Sequence, residues 1–195
     1  MANGDTDGTR RAVLQAAAGL AVAPMLSGAA SGSEAAPAPS PAPIKGAGKP
    51  GDFDFLTGEW RIANRFLEKD KWITFPAEAS VTSLHGGRAS IEELRIPARD
   101  FAGTGVRTFD VENSVWLDYW VNAKSGVIVP PGVAGWFVDG VGAFISEDVD
   151  AEGKPIKVRG VWDEITGHSH RWRQGVSRDG GATWEDSWIM QWTKV

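Results

Sequence analysis

Beyond residue 58 the chain alternates apolar and polar side chains with a period of two, the signature of strands with one face buried and one wetted. Strands are predicted at 60–67, 72–74, 77–84, 89–96, 104–110, 115–123, 134–138, 142–147, 156–165, 168–176 and 184–194. The connectors carry turn chemistry: His85-Gly86-Gly87, Lys124-Ser125-Gly126, Asp139-Gly140 and Glu152-Gly153-Lys154-Pro155. Hairpin follows hairpin with no amphipathic helix between them. About ten antiparallel strands in one small domain close most naturally into an up-and-down barrel, which removes exposed edges; a two-sheet sandwich is the alternative.

The strongest local pattern is the last hairpin, residues 171–192. His170, Trp172 and Gln174 share one face of its first strand, and Trp184, Asp186, Trp188, Met190 and Trp192 share a face of its second. Asp179-Gly180-Gly181 supplies the positive φ angles of the turn. Residues 177–184, SRDGGATW, match the Asp-box of sialidases, in which serine and aspartate fold back onto turn amides and the tryptophan packs beneath. Sialidases repeat the motif on propeller blades. One copy in a chain this short stabilises a turn and implies no sialidase chemistry.

The N-terminus has a different character. Residues 1–35 are expected to be an export signal: Arg10-Arg11 precede Val13-Leu14 and Gln15, then a short apolar run reaches Leu26, then small residues follow. The pair resembles the twin-arginine signature, and the apolar run is too short to span a bilayer comfortably. The expected destination is the periplasm or the exterior, with the twin-arginine translocase as a transient partner and no integral membrane association after cleavage. Residues 36–51 read as a proline- and alanine-rich disordered linker, and 52–195 as the folded domain, with a short helical or irregular lid at 52–56.

Composition narrows function mainly by exclusion. The net charge is −5, and without residues 1–50 it is −6, because four basic and three acidic residues go with that segment. An acidic domain without a basic run is no nucleic-acid binder. Cysteine is absent, which removes disulfides, thiolate catalysis and cysteine-ligated metal. Ten tryptophans against one tyrosine suit either the core of an all-β fold or the wall of a cavity for a flat apolar ligand.

Several motifs recur together. Phe53-Asp54-Phe55-Leu56-x-Gly58-Glu59-Trp60 opens the domain, and Gly58-x-Trp60 is the G-x-W of lipocalin-like barrels. Arg107-x-Phe109-Asp110, Trp116-x-x-Tyr119-Trp120-Val121, Gly135-x-Phe137-x-x-Gly140-x-Gly142 and Arg159-x-x-Trp162-x-x-Ile165-Thr166 follow, before the stretch from Trp172 to Trp188. Together they resemble the DUF1579-like bacterial calycins over roughly residues 52–195. The resemblance implies an antiparallel lipocalin-like (calycin) barrel and implies no reaction; barrels of this shape serve as carriers, haem proteins and occasional cyclases or isomerases.

The candidate chemistry is therefore that of a cavity. Trp116, Trp120, Trp162, Trp172, Gln174 and Trp188 are candidate ligand contacts, and Arg107 and Arg159 are candidate anchors for an anionic group. A strand guanidinium is expensive to bury unless it meets a carboxylate or a ligand anion, a rule that applies to Arg171 too. Arg159 and Trp162 both face inward only if a bulge intervenes, at Gly160. An arginine over Trp60 is the calycin-style alternative. Asp118, flanked by Trp116 and Trp120, is the best acid–base candidate, with Tyr119 and His170 behind it. Metal is not expected, since His168-x-His170 lacks a third ligand nearby, and no cofactor is expected. A haem held through His170, in a way that resembles the nitrobindins, is the alternative. The expected function is binding of a small hydrophobic molecule, with or without an anionic group; the alternatives are an isomerase, cyclase or lyase in the same cavity, and a structural barrel with a filled interior.

Overall fold

The computed structural model describes residues 44–195, so the expected signal and the first half of the linker lie outside the described residues. Ten strands run in order: β1 Gly58–Glu68, β2 Lys71–Leu84, β3 Ala89–Ile96, β4 Phe101–Asp110, β5 Val115–Asn122, β6 Val133–Val138, β7 Val141–Val149, β8 Pro155–Asp163, β9 Ser169–Ser177 and β10 Glu185–Lys194. Each pairs antiparallel with its neighbours in sequence, and β10 returns to β1, so the sheet is a closed up-and-down barrel. No helix among the described residues is long and apolar enough to cross a membrane.

Alternation dictates the interior. Trp60, Ile62, Asn64 and Phe66 of β1 point in, and the registers Phe66↔Trp188, Asn64↔Met190 and Ile62↔Trp192 carry that face onto β10. On β9 the same face holds His170, Trp172 and Gln174, as the spacing predicts. Rings this large need room, and glycines on adjacent strands supply it: a Cβ on Gly103 would collide with Trp120, and one on Gly160 would stand 3.2 Å from Nε1 of Trp172.

Four expectations change. The segments predicted at 72–74 and 77–84 are one strand, because Pro76 lies where β2 pairs with β1 alone, and its missing N–H breaks no ladder with β3. The β8–β9 ladder runs unbroken through Arg159↔Gly175, Gly160↔Gln174 and Trp162↔Trp172, so Gly160 is no bulge. The irregularity sits on β10 instead: Asp186 pairs with Gly175 and Trp188 with Gln174. Ser187 is the extra residue, and Asp186 therefore faces out while Trp188 faces in. Finally, the folded part begins before residue 52. The amides of Gly46 and Gly48 donate to the carbonyls of Asn113 and Ser114, and Nε1 of Trp116 donates to the Lys49 carbonyl at 3.3 Å.

A 3-10 turn, Asp54–Leu56, plugs one barrel end, where the lid was expected. Phe53 packs edge-on against Trp116, Phe137 and Trp162 with centroids 4.9–6.0 Å apart, and the Leu56 carbonyl accepts from Nε1 of Trp60 at 2.7 Å. The cation over Trp60 is Lys194, at 5.5 Å, and no arginine takes that place. The 177–184 turn is the structural device its motif announces: Oγ of Ser177 accepts from the Gly181 amide at 2.8 Å, Asp179 accepts from the Thr183 amide at 2.9 Å, and Nε1 of Trp184 donates to the Gly181 carbonyl.

Candidate functional site

The plug fills only one end. Past Arg107 the interior opens into a cavity of about 120 Å³. That is the scale of the ~150 Å³ apolar cavity known to take up benzene, and well below the ~300 Å³ where pockets for drug-sized ligands begin. Its seam is between β5 and β6, which share only three residue pairs, Trp116↔Gly135 to Asp118↔Val133. Beyond them the strands part, and Tyr119, Val129, Pro131 and Gly132 border the opening.

The walls are largely apolar: Leu94, Val133, Phe144, Val158 and Met190 join Trp120, Trp162, Trp172, Trp188 and Trp192. Trp172 and Trp188 stand edge to face at 5.7 Å, and Trp120 stacks on Phe101 at 5.9 Å. Gln174, buried, adds one neutral polar group.

The floor is ionic. Adjacent positions on β3, β4 and β5 place Glu92, Arg107 and Asp118 side by side, through the registers Glu92↔Gly105 and Arg107↔Asp118. Nη2 of Arg107 donates to Glu92 at 2.7 Å, and Nε lies 3.4 Å from Asp118. The guanidinium also lies over the rings of Phe53 and Trp162, at 5.2 and 5.1 Å. Burial opposes its charge, but the two carboxylates outweigh burial and hold it firmly protonated. Asp118 is different. Burial pushes its carboxyl up to about 6, with Arg107 pulling against that and Glu92 adding to it. A quarter of its side chain is exposed, and it accepts no hydrogen bond among the described residues.

The candidate residues from the sequence therefore divide. Asp118, Arg107, Trp120, Trp162, Trp172, Gln174 and Trp188 meet around one cavity, and Tyr119 borders its mouth, packed against Gly132. Trp116 does not belong with them: it is 1% exposed and lies in the plug between Phe53 and Phe109. Arg159 borders the cavity, but its guanidinium is engaged on the outer face with Asp186 at 3.0 Å and over Trp184 at 4.7 Å. Without a bulge, alternation puts it outside. Arg171 likewise grips Asp163 and Glu164 on the surface. Arg107, expected to anchor a ligand anion, is already claimed by Glu92 and Asp118.

His170 points inward, yet it is sealed in the plug region by Phe55, Trp60, Trp162 and Trp192 with centroids 4.5–5.5 Å away. Both ring nitrogens lack a hydrogen-bond partner, and burial, helped by the Arg107 charge, lowers its pKa to about 3. It lies behind Trp162 and Trp192 and does not line the cavity, so these residues do not fit a haem, and the cavity is too small for a porphyrin. His168 is exposed, and no group of three or more metal-ligating side chains assembles among the described residues.

Sequence reasoning missed Glu92. The signal was there: Ser90, Glu92, Leu94 and Ile96 alternate inward, so of the pair Glu92-Glu93 one had to be buried.

No family model matches this sequence, and no curated protein matches it. Among solved structures, a protein of unknown function from the DUF3598 family of Nostoc punctiforme is similar with a TM-score of 0.49 and 15% identity, covering 76% of this chain and 51% of that one. The chain thus spans about half the length of that protein. The S-type phycobiliprotein lyase CPES from Guillardia theta is similar with a TM-score of 0.49 and 10% identity, over 73% of this chain and 90% of that one.

Proposed function

We propose that this barrel binds a small, largely apolar organic molecule in its tryptophan-lined cavity. The observation that carries the reading is the cavity itself: one barrel end is filled by the 53–56 plug, while the interior past Arg107 is left unfilled, opens at the β5–β6 seam and is walled by five indoles. A barrel with a purely structural task gains stability by filling such space, since an empty cavity forfeits the contacts its walls would make. The reading deepens the resemblance to DUF1579-like calycins, which rests on the motifs at 53–60, 107–110 and 116–121.

An enzyme in the same cavity is the second reading. What favours it is Asp118, a carboxyl poised at about 6 at the cavity floor, where it is able both to give and to take a proton near neutrality. Tyr119 at the mouth is its only titratable companion on β5 that borders the cavity.

Native mass spectrometry of protein purified from its own source tests the binding reading. A retained organic mass supports it. Bare protein whose tryptophan fluorescence is unmoved by toluene, benzyl alcohol and indole overturns it. Export by a twin-arginine route to the periplasm or beyond is part of the proposal, on the strength of Arg10-Arg11 and the apolar run behind them. Replacing both arginines by lysine and fractionating the cells tests that part: the protein should stay in the cytoplasm.

A further inference from the structure

The cavity floor has more negative charge than Arg107 can match. Two carboxylates, Glu92 and Asp118, share one guanidinium, and they share it unequally. Glu92 takes the short hydrogen bond at 2.7 Å with 4% of its side chain exposed, whereas Asp118 stands off at 3.4 Å with 25% exposed. All three border the cavity, but Asp118 is the most exposed of the trio and accepts no hydrogen bond from any described residue. An ionised carboxylate has about four lone-pair sites, so this half-buried one has room for donors from a ligand. Nη1 and Nε of Arg107 are buried without a hydrogen-bond partner, with the guanidinium carbon over Phe53 and Trp162 and Nε 3.4 Å from Asp118. An anion that took them would be a third acid around one guanidinium, beside the two carboxylates already there.

The walls agree with the floor. Trp120, Trp172 and Trp188 surround the cavity into which Asp118 looks, and indole faces carry negative potential that attracts cations and repels carboxylates. We infer that the ligand of this cavity is a small organic ammonium ion, its N–H group donating to Asp118 and its apolar body lying among Trp120, Trp172, Trp188 and Met190. The inference rests on the cavity-binding reading and names the class of molecule bound.

Because the bond is to the ionised carboxylate, affinity should depend on pH. The charged groups facing Asp118 are Arg107 from β4 and Glu92 from β3; β6 and β7 present Val133, Phe144 and Ser146, and the Arg159 charge on β8 is held outside by Asp186. His170 beyond Arg107 is neutral down to about 3. Asp118 is then the group that titrates near 6, and ammonium binding should weaken as pH falls through that value, approaching tenfold per pH unit.

The test uses three ligands of one ring size, benzylammonium, benzyl alcohol and benzoate, titrated into the full chain by calorimetry at pH 7.5. The expected order is benzylammonium tightest by tenfold or more, benzyl alcohol next and benzoate weakest. Below pH 6 benzylammonium should lose affinity while benzyl alcohol stays level. In Asp118→Asn the preference for benzylammonium over benzyl alcohol should vanish; if that variant does not fold, the pH series on the unaltered chain decides alone. Benzyl alcohol binding as tightly as benzylammonium, or benzoate binding best, overturns the inference and leaves the cavity reading standing. If none of the three binds, the cavity reading fails and this inference with it.

Discussion

Arg107 and Glu92 meet 2.7 Å apart inside the barrel, with 5% and 4% of their side chains exposed. A buried pair of this kind contributes little net stability, but breaking it strands a charge. Arg107→Met should therefore destabilise the domain by about 3–5 kcal/mol, read as a lower urea midpoint at unchanged slope. Adding Glu92→Gln to that variant should restore much of the loss. Equal midpoints for Arg107→Met and the unaltered protein would mean that the pair is not buried as described.

His170 and Asp118 pull the acid stability of the domain in opposite directions. The folded pKa of His170, about 3, lies below its unfolded value of 6.5, so the unfolded chain binds a proton that the folded chain refuses. Stability from this source is full above 6.5 and is lost toward pH 3, at up to about 1.4 kcal/mol per pH unit. Asp118, raised from 3.8 to about 6, binds its proton in the folded state first and so adds stability as pH falls between those values. In His170→Leu only the second effect remains of the two. That variant should resist acid better than the parent between pH 6 and 4 in urea titrations.

Gly103 leaves the space that Trp120 occupies. Gly103→Ala should force the indole aside at a cost of about 1–3 kcal/mol, and the Trp120 indole proton should shift in the NMR spectrum. An unshifted signal would place the ring elsewhere.

The 177–184 turn should be a local device only. Asp179 is held well below the usual carboxylate range chiefly by its hydrogen bonds from Thr183, then by Ser177. Asp179→Ala should speed hydrogen exchange at the Thr183 amide many-fold and leave the amides of β1 and β10 unchanged.

The barrel was legible because its strands alternate and its turns carry glycine at positive φ, as at Gly140 and Gly180. The desolvated Asp118 was legible as well, since indoles two residues away on each side put all three on one inward face. Two things were not. The seam that opens the cavity depends on β5 and β6 sharing three pairs, which is a matter of ladder length that no single residue announces. The facing of Arg159 turned on whether a bulge fell at Gly160; the β8–β9 ladder is unbroken there, and the irregularity at Ser187 on β10 instead turns Asp186 outward to meet it. Trp116 was misplaced for a related reason: it does face inward, but the chain before residue 52 folds back and covers it.

A small molecule that binds as proposed enters the barrel between β5 and β6 and rests among the indoles there. The most direct measurement is the NMR spectrum of the ten indole N–H groups during titration with benzylammonium. The signals of Trp120, Trp172 and Trp188 should move together and saturate, while those of Trp60, Trp116 and Trp184 stay in place. Ten unmoved signals, or movement confined to Trp72 and Trp184 on the outer surface, would contradict it.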